Sequence, residues 1–316
     1  MSETSSGPPV AGFCHQASLY RDDDEFMRGI ERFVLGGLRA GDALAVLIRG
    51  RELEALRTRL GSLARRVRLT ETDELADNPA WVIPFWQEFR ESLGVGQRGR
   101  AVSEPISVAA GSPVSAEYQL HESLVNLAFS RDSSLWLLCP YHSDRLDERT
   151  LDGVYRCHPF VGIGEGACRP NDRFVSDGSP LTGDLQLAPA DAHHRVVDAN
   201  SIASARQVMA ELAVDFGLDT STAADFALAA HEVIANSVRH GGGRADVAVW
   251  HDDDDVLICE VRDRGRFEDP LAGRMLPGER AKRGRGLWMA NRLCQLVQIR
   301  SADEGTVVRL HMRQRP

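Results

Sequence analysis

Between about Val161 and Ala192 the chain loses its hydrophobic periodicity. The stretch GIGEGACRPNDRFVSDGSPLTGDLQLAPAD is rich in Gly, Pro, Asp and Ser, residues that break regular elements and favour turns and loops. It divides 316 residues into two lengths, each sufficient to bury its own core. The sequence therefore predicts a tail over residues 1–12, a first domain over 13–160, a linker over 161–191 and a second domain over 192–316. No internal repeat relates the two halves.

The first half alternates. ALAVLI (Ala43 to Ile48), RVRLTET and SLWLLCPY (Ser134 to Tyr141) read as short buried strands. Between them apolar residues recur at spacings of three and four, as in Phe26, Ile30, Phe33, Val34 and Leu38, or Leu120, Leu124, Leu127 and Ala128. Strands alternating with helices predict a mainly parallel sheet with helices on its faces. Such folds often hold nucleotides, but ALAVLI is followed by RGRELEALR, with neither a P-loop nor a GxGxxG turn. Trp81, Trp86 and Phe89 are expected to pack a helix onto the sheet.

The second half has another grammar. NSIASARQVMAELAVDFGL reads as a helix, and FALAAHEVIANSVRHGGG as a second one with Thr220 or Ser221 as its N-cap. ADVAVW and VLICEVRD are strand-like and joined by the acidic turn HDDDD. GLWMANRLCQL is helical, and LVQIRS with TVVRLHM forms a hairpin around Glu304-Gly305. This order predicts an α/β sandwich, with helices on one face of a largely antiparallel sheet.

Charge and composition bound the partners. A net charge of −9 argues against direct nucleic-acid binding, which needs a basic surface. No apolar run approaches the roughly 18–20 residues that span a bilayer, and the start MSETSSGPPVAGF lacks a signal-peptide pattern. A cytoplasmic protein without membrane attachment is expected. The six cysteines are scattered, so reduced and mostly packed thiols are expected. Cys14-His15 and Cys157-His158 carry metal-ligand types. Two dipeptides so far apart make no recognisable ligand spacing, and packing is the expected role.

On the second helix of the C-terminal half, Phe226, Ala230, Val233, Ile234 and Val238 form a core stripe. Glu232, Asn236 and His240 advance by four along another face. Glu and Asn one turn apart offer hard oxygens that suit Mg2+ beside phosphate and water, and Glu232 also suits deprotonation of a hydroxyl. VRDRGRF places Asp263 at a strand end, where a carboxylate can accept from an exocyclic amine, with Gly265 allowing close approach. KRGRGLWMANRL places Gly284 and Gly286 before a helix, where N–H groups and the dipole favour phosphate. Lys282, Arg283 and Arg285 add positive charge there. Thr306 lies after a turn on a late strand, where a hydroxyl can complete a network around Asp263.

These elements, in this order over about Ala192 to Arg313, resemble the N box, two glycine boxes and terminal Thr of the Bergerat-type ATP-binding (GHKL) fold. HEVIANSVRHG, VRDRGRFEDP, GRGLWMANRLC and GTVVRLHMR are similar to the anti-sigma-factor serine kinase branch. The resemblance implies that Asn236 holds Mg2+ and that Glu232 is the base activating an acceptor serine. It implies that Asp263 binds adenine beside Gly265, that Gly284, Gly286 and Leu287 border the phosphates, and that Thr306 supports the adenine end. Residues 268–283 would be a lid, with Arg239 and His240 near phosphate or metal. The implied partners are a sigma factor, an anti-anti-sigma (STAS-type) protein and a second copy of the chain.

The usual Asp-x-Gly-x-Gly box ends here in Phe267. If that position needs a positive φ, phenylalanine costs roughly 1–2 kcal/mol, on the order of tenfold in affinity. This departure keeps open a binding module that acts by stoichiometric sequestration. A histidine kinase would need a long helical hairpin before the ATPase, and LAPADAHHRVVDANS leaves His193 and His194 outside any long helical pattern.

FCHQASLYRDDDEFMRGIERFVLGGLRAGDALAVLI and SLWLLCPYHSDRLDERTLDGVYRCHPFV, over about Phe13 to Phe160, resemble the MEDS sensory domain, a RecA-like fold lacking its P-loop. Cys14, His15, Tyr20, Cys139 and Tyr141 are candidates for a ligand pocket near strand ends. Ordinary packing with a hydrogen-bonded tip is the favoured account for any one of them.

Overall fold

The computed structural model describes residues 12–72, 78–105, 113–129, 134–163, 168–176, 184–252, 255–278 and 285–314. The chain forms two compact units, one of Met1–Ala76 and Phe85–Thr182, the other of Asp77–Pro84 and Gly183–Pro316.

In the first unit a seven-stranded sheet contains β1 (Cys14–Tyr20), β2 (Ala43–Ile48), β3 (Val67–Glu71), β4 (Gly99–Ser103), β5 (Leu135–His142), β6 (Phe160–Ile163) and β7 (Arg169–Pro170). Their spatial order is β3-β2-β4-β5-β1-β6-β7. All pairings are parallel except β6 with β7. The continuous apolar run of β2 is explained by its place inside the sheet, covered on both faces. Helices α1 (Asp23–Ala40), α2 (Gly50–Leu60), α3 (Val82–Glu91), α4 (Pro113–Ala128) and α5 (Glu148–Cys157) make the crossovers.

The α1 stripe Phe26, Ile30, Phe33, Val34 and Leu38 is buried against β2 and α2, as its spacing predicts. Asp22 caps this helix by accepting the Glu25 N–H at 2.7 Å, and Gly41 ends it at φ 77°. Trp86 and Phe89 are buried, whereas Trp81 lies in the second unit beneath the Arg292 guanidinium, 3.7 Å from its ring centroid. Strands β1 and β4 carry the weakest sequence signal. CHQASLY and GRAVS bury His15, Gln16 and Ser103, and buried polar side chains erase the alternation that marks a strand.

The second unit is a five-stranded antiparallel sheet in the order β11-β12-β10-β9-β8. Its strands are β8 (His193–Asp198), β9 (Arg244–His251), β10 (Leu257–Asp263), β11 (Leu296–Ala302) and β12 (Gly305–Met312). Helices α6 (Ile202–Asp215), α7 (Thr220–His240) and α8 (Gly286–Leu293) pack Met209, Phe226, Ile234 and Leu287 onto one face, against Leu257, Cys259 and Leu310. Strand β8 adds to the predicted order. Only Val197 of this edge strand is buried, and pairing through the backbone leaves little trace in side-chain pattern. Among the described residues no helix is long and apolar enough to cross a membrane.

The cap of α7 is a correction. Asp219, not Thr220 or Ser221, closes the helix, accepting the Ser221 and Thr222 N–H groups at 2.7 and 3.1 Å and the Thr222 hydroxyl at 2.6 Å. The Thr222 hydroxyl, the Gln314 amide and the backbone donors hold this carboxyl below the usual aspartate range. A carboxyl depressed in the folded state stabilises above its unfolded pKa and loses that contribution as pH falls through its folded pKa. Asp219→Ala is therefore expected to lower the melting temperature at neutral pH. Thermal scans should show the difference from the parent shrinking as the solution is acidified below the ordinary aspartate range.

Candidate functional site

Helix α7 buries Phe226, Ala230, Val233, Ile234 and Val238 against the sheet. That orientation leaves Glu232 and Asn236 half-buried on a flank, with Arg239 and His240 exposed at the end. The two flank residues converge on the start of α8. A Cβ on Gly286 would lie 2.7 Å from Glu232 Oε2 and 3.2 Å from Asn236 Nδ2. A Cβ at 286 would push the Glu232 carboxylate aside, so Glu232, Asn236 and Gly286 meet at one place.

The end of β10 meets the end of α7. Asp263 Oδ1 accepts the Gly265 N–H at 2.7 Å, and the Thr306 hydroxyl donates to the Gly265 carbonyl at 2.8 Å. Thr306 stands opposite Asp263 in the β10–β12 register. A Cβ on Gly265 would lie 2.8 Å from the His240 carbonyl, and one on Gly241 would overlap the Asp263 carboxyl. Gly265 therefore lies close against the His240 backbone. The Arg264 N–H donates to the Gly241 carbonyl at 3.1 Å and ties the loop to the helix end.

Phe267 departs from the expectation of strain. Among the described residues the only non-glycine with positive φ is Asp255, so phenylalanine bears no left-handed penalty. Its N–H donates to Ser301 Oγ at 2.8 Å, Ser301 Oγ lies 2.9 Å from Thr306 Oγ1, and its ring packs on the core. Ser301 joins the Thr306 network unanticipated by the sequence reading. Its position across the β11–β12 hairpin from Thr306 was the available signal.

Gly286 and Leu287 form the first turn of α8, whose N-cap Arg285 makes no side-chain cap bond. Gly284, Lys282, Arg283 and lid positions 279–283 lie outside the described residues. In the earlier part of that segment Gly273 has φ 76°, and the Asn291 amide donates to the carbonyls of Gly273 at 3.0 Å and Leu287 at 3.1 Å. At the other end of α8, Asn78 Nδ2 donates to the carbonyls of Asn291 at 2.9 Å and Cys294 at 3.1 Å. Acceptors left over at a helix C-terminus are satisfied in this way. Neither Asn291 nor Asn78 stood out in sequence, because a structural asparagine carries no periodic signature.

The first unit has its own cavity, of about 170 Å³, at the carboxyl ends of β1, β2, β4 and β5. Tyr20, Arg49, Glu104, Glu122 and Tyr141 are among its lining residues. Glu104 accepts from Arg49 Nη2 at 2.6 Å and from its N–H at 2.9 Å. Burial, with Glu104 nearby, pushes the Tyr20 phenol up to about 12. Of the five pocket candidates, Tyr20 and Tyr141 line this cavity. His15 and Cys139 are fully buried beside it, and Cys14 is buried next to Cys168.

Two family models match the chain. Residues 14–159 match the MEDS model, described as the MEthanogen/methylotroph, DcmR Sensory domain, and residues 196–312 match the histidine kinase-like ATPase domain. A crystal structure of the RsbU and RsbW domains of a Mycobacterium tuberculosis protein is 28% identical, with a TM-score of 0.31. The similarity covers 41% of this chain and 34% of that one, so the chain spans about a third of its length. No curated protein matches the chain.

Proposed function

We propose that this chain, a MEDS sensory domain joined to a histidine kinase-like ATPase domain, is a partner-switching regulator. In this reading it binds ATP with Mg2+ and phosphorylates a serine or threonine of an anti-anti-sigma (STAS-type) protein. It also sequesters a sigma factor, and its N-terminal domain modulates the exchange. The observation that carries the reading is the convergence of Glu232 and Asn236 on Gly286, with the Asp263–Gly265–Thr306 network beside them at the C-terminal end of α7.

The residues fit the nucleotide. Asp263 Oδ1 is engaged by Gly265, which leaves Oδ2 to accept from the exocyclic amine of adenine. The missing Cβ of Gly265 lets the loop after β10 pack against the end of α7, and that of Gly286 leaves room beside Glu232 and Asn236. The N–H groups of Gly286 and Leu287, uncapped by a side chain, suit a phosphate at the positive end of a helix dipole. Asn236 supplies a hard amide oxygen for Mg2+, once its amide turns to present Oδ1. When bound, ATP with Mg2+ would supply the phosphoryl group for transfer.

The role of this chain is then positioning and proton removal. Glu232 Oε2 would accept the proton of the acceptor hydroxyl. The ordinary φ of Phe267 removes the reason for expecting a weakened site.

Incubating the full chain with Mg2+, labelled ATP and candidate STAS-type proteins tests the reading. Acid-stable label on a serine or threonine of the partner is expected. Calorimetry showing no heat with millimolar ATP and Mg2+ would overturn it.

A further inference from the structure

A second cluster lies in the first unit, apart from the nucleotide site. His15 on β1, Glu122 on α4, Cys139 on β5 and His158 just after α5 bring one ligand atom each to within 4.8 Å of every other. His15, Cys139 and His158 are 0% exposed and Glu122 is 9% exposed. The β1–β5 register, with Ala17 beside Cys139, puts His15 and Cys139 on one sheet face. Helix α4 and the end of α5 cover that face.

The hydrogen bonds fix both imidazoles. The Asn126 amide donates to the carbonyls of Glu122, Ser123 and Cys157, so its Oδ1, 3.1 Å from His15 Nδ1, is the acceptor. His15 Nδ1 therefore carries the proton. His158 Nδ1 lies 2.8 Å from the Val154 carbonyl and is likewise the donor. In the neutral rings both Nε2 atoms present lone pairs inward.

Each Nε2 faces Glu122 Oε2 at 3.3 Å, and His15 Nε2 faces Cys139 Sγ at 3.4 Å. Glu122 Oε2 and His158 Nε2 are buried without a hydrogen-bond partner. Converging acceptors in a dry site repel one another unless a cation sits between them.

We propose that His15 Nε2, Glu122 Oε2, Cys139 Sγ and His158 Nε2 bind one divalent transition-metal ion, with Zn2+ the best fit. Tetrahedral zinc with nitrogen, oxygen and sulfur ligands has ligand–ligand edges of about 3.3–3.6 Å, and three of the six separations here are 3.3, 3.3 and 3.4 Å, with all six within 4.8 Å. Nδ1–H bonds to carbonyl oxygens are the outer contacts that orient metal-binding histidines. On binding, Cys139 releases its thiol proton to solvent and ligates as thiolate. Glu122 also lines the cavity, which gives the ion a route in.

The test uses the full chain, stripped with a chelator and titrated with Co2+ and, separately, Zn2+. One Co2+ per chain is expected, with intense tetrahedral d–d bands and a thiolate-to-cobalt charge-transfer band. Cys139→Ser should lose the charge-transfer band, His158→Gln should weaken Zn2+ binding at least about 100-fold, and Cys168→Ser should change neither. No stoichiometric binding by the parent, or weak octahedral bands without charge transfer, overturns the site without recourse to any variant. So does a band that survives Cys139→Ser and vanishes in Cys168→Ser, because the ion would then sit on other thiols.

Discussion

Replacing Asn236 with alanine is expected to weaken Mg2+-dependent ATP binding at least about 100-fold, or about 2.7 kcal/mol. Asn236 is half-buried, and its amide lies against Gly286, so its loss removes the proposed metal-facing group from the middle of the site. The helix itself should not suffer. Alanine is the better helix former, and the core stripe of α7 lies on another face. A variant of unchanged or slightly higher melting temperature that has lost its Mg2+-dependent heat would separate ligand binding from folding. The comparison also needs ATP in chelator, where parent and variant should behave alike. Binding by the variant within about threefold of the parent, with Mg2+ present, would remove Asn236 from the proposed metal shell.

The second large effect is on transfer. Glu232→Gln is expected to slow phosphorylation of the partner by about 10²–10⁴-fold, the usual contribution of a positioned base, while ATP affinity stays within about threefold. Glutamine preserves the shape that fills the space beside Gly286, where Glu232 Oε2 is the nearest side-chain atom. What it cannot do is take a proton at neutral pH. Single-turnover labelling, with ATP binding measured in parallel, separates the two roles. Normal transfer by this variant would show that another group, or none, accepts the hydroxyl proton. Loss of binding together with transfer would make Glu232 a structural support of α8.

Much of the candidate C-terminal site was legible because its parts are chemically marked. Glu232 and Asn236 stand one helical turn apart, and Asp263, Gly265, Gly286 and Thr306 fall at element ends. The structure brings Glu232 and Asn236 to Gly286, and Asp263 and Thr306 to Gly265. Residues that complete these contacts were not legible. Ser301, Asn291 and Asn78 act through single hydrogen bonds to groups distant in sequence, and no periodicity reports such a bond. Phe267 left its condition open for a related reason. A motif names the residue usually present, whereas only the backbone path decides whether a positive φ is required.

The N-terminal half shows the same division. Its crossovers were readable from strands alternating with helices, apart from β1 and β4, where buried polar residues hide the pattern, and β6 and β7, which fall largely in the stretch 161–191 read as a linker. The pairs Cys14-His15 and Cys157-His158 were visible as metal-ligand types. One histidine from each reaches the cluster, together with Glu122 and Cys139, while Cys14 and Cys157 stay outside it.

By itself the sequence determined most of the local elements, the two sheet types and the chemistry available at their ends. Those properties follow from side-chain spacing and backbone preference within a few neighbouring residues. Only the tertiary structure decided which ends meet. Parallel β1 and β5 place His15 and Cys139 on one face, and antiparallel β10 and β12 place Asp263 opposite Thr306. Strand order and register are set by burial summed over a whole core, a quantity that no single segment encodes.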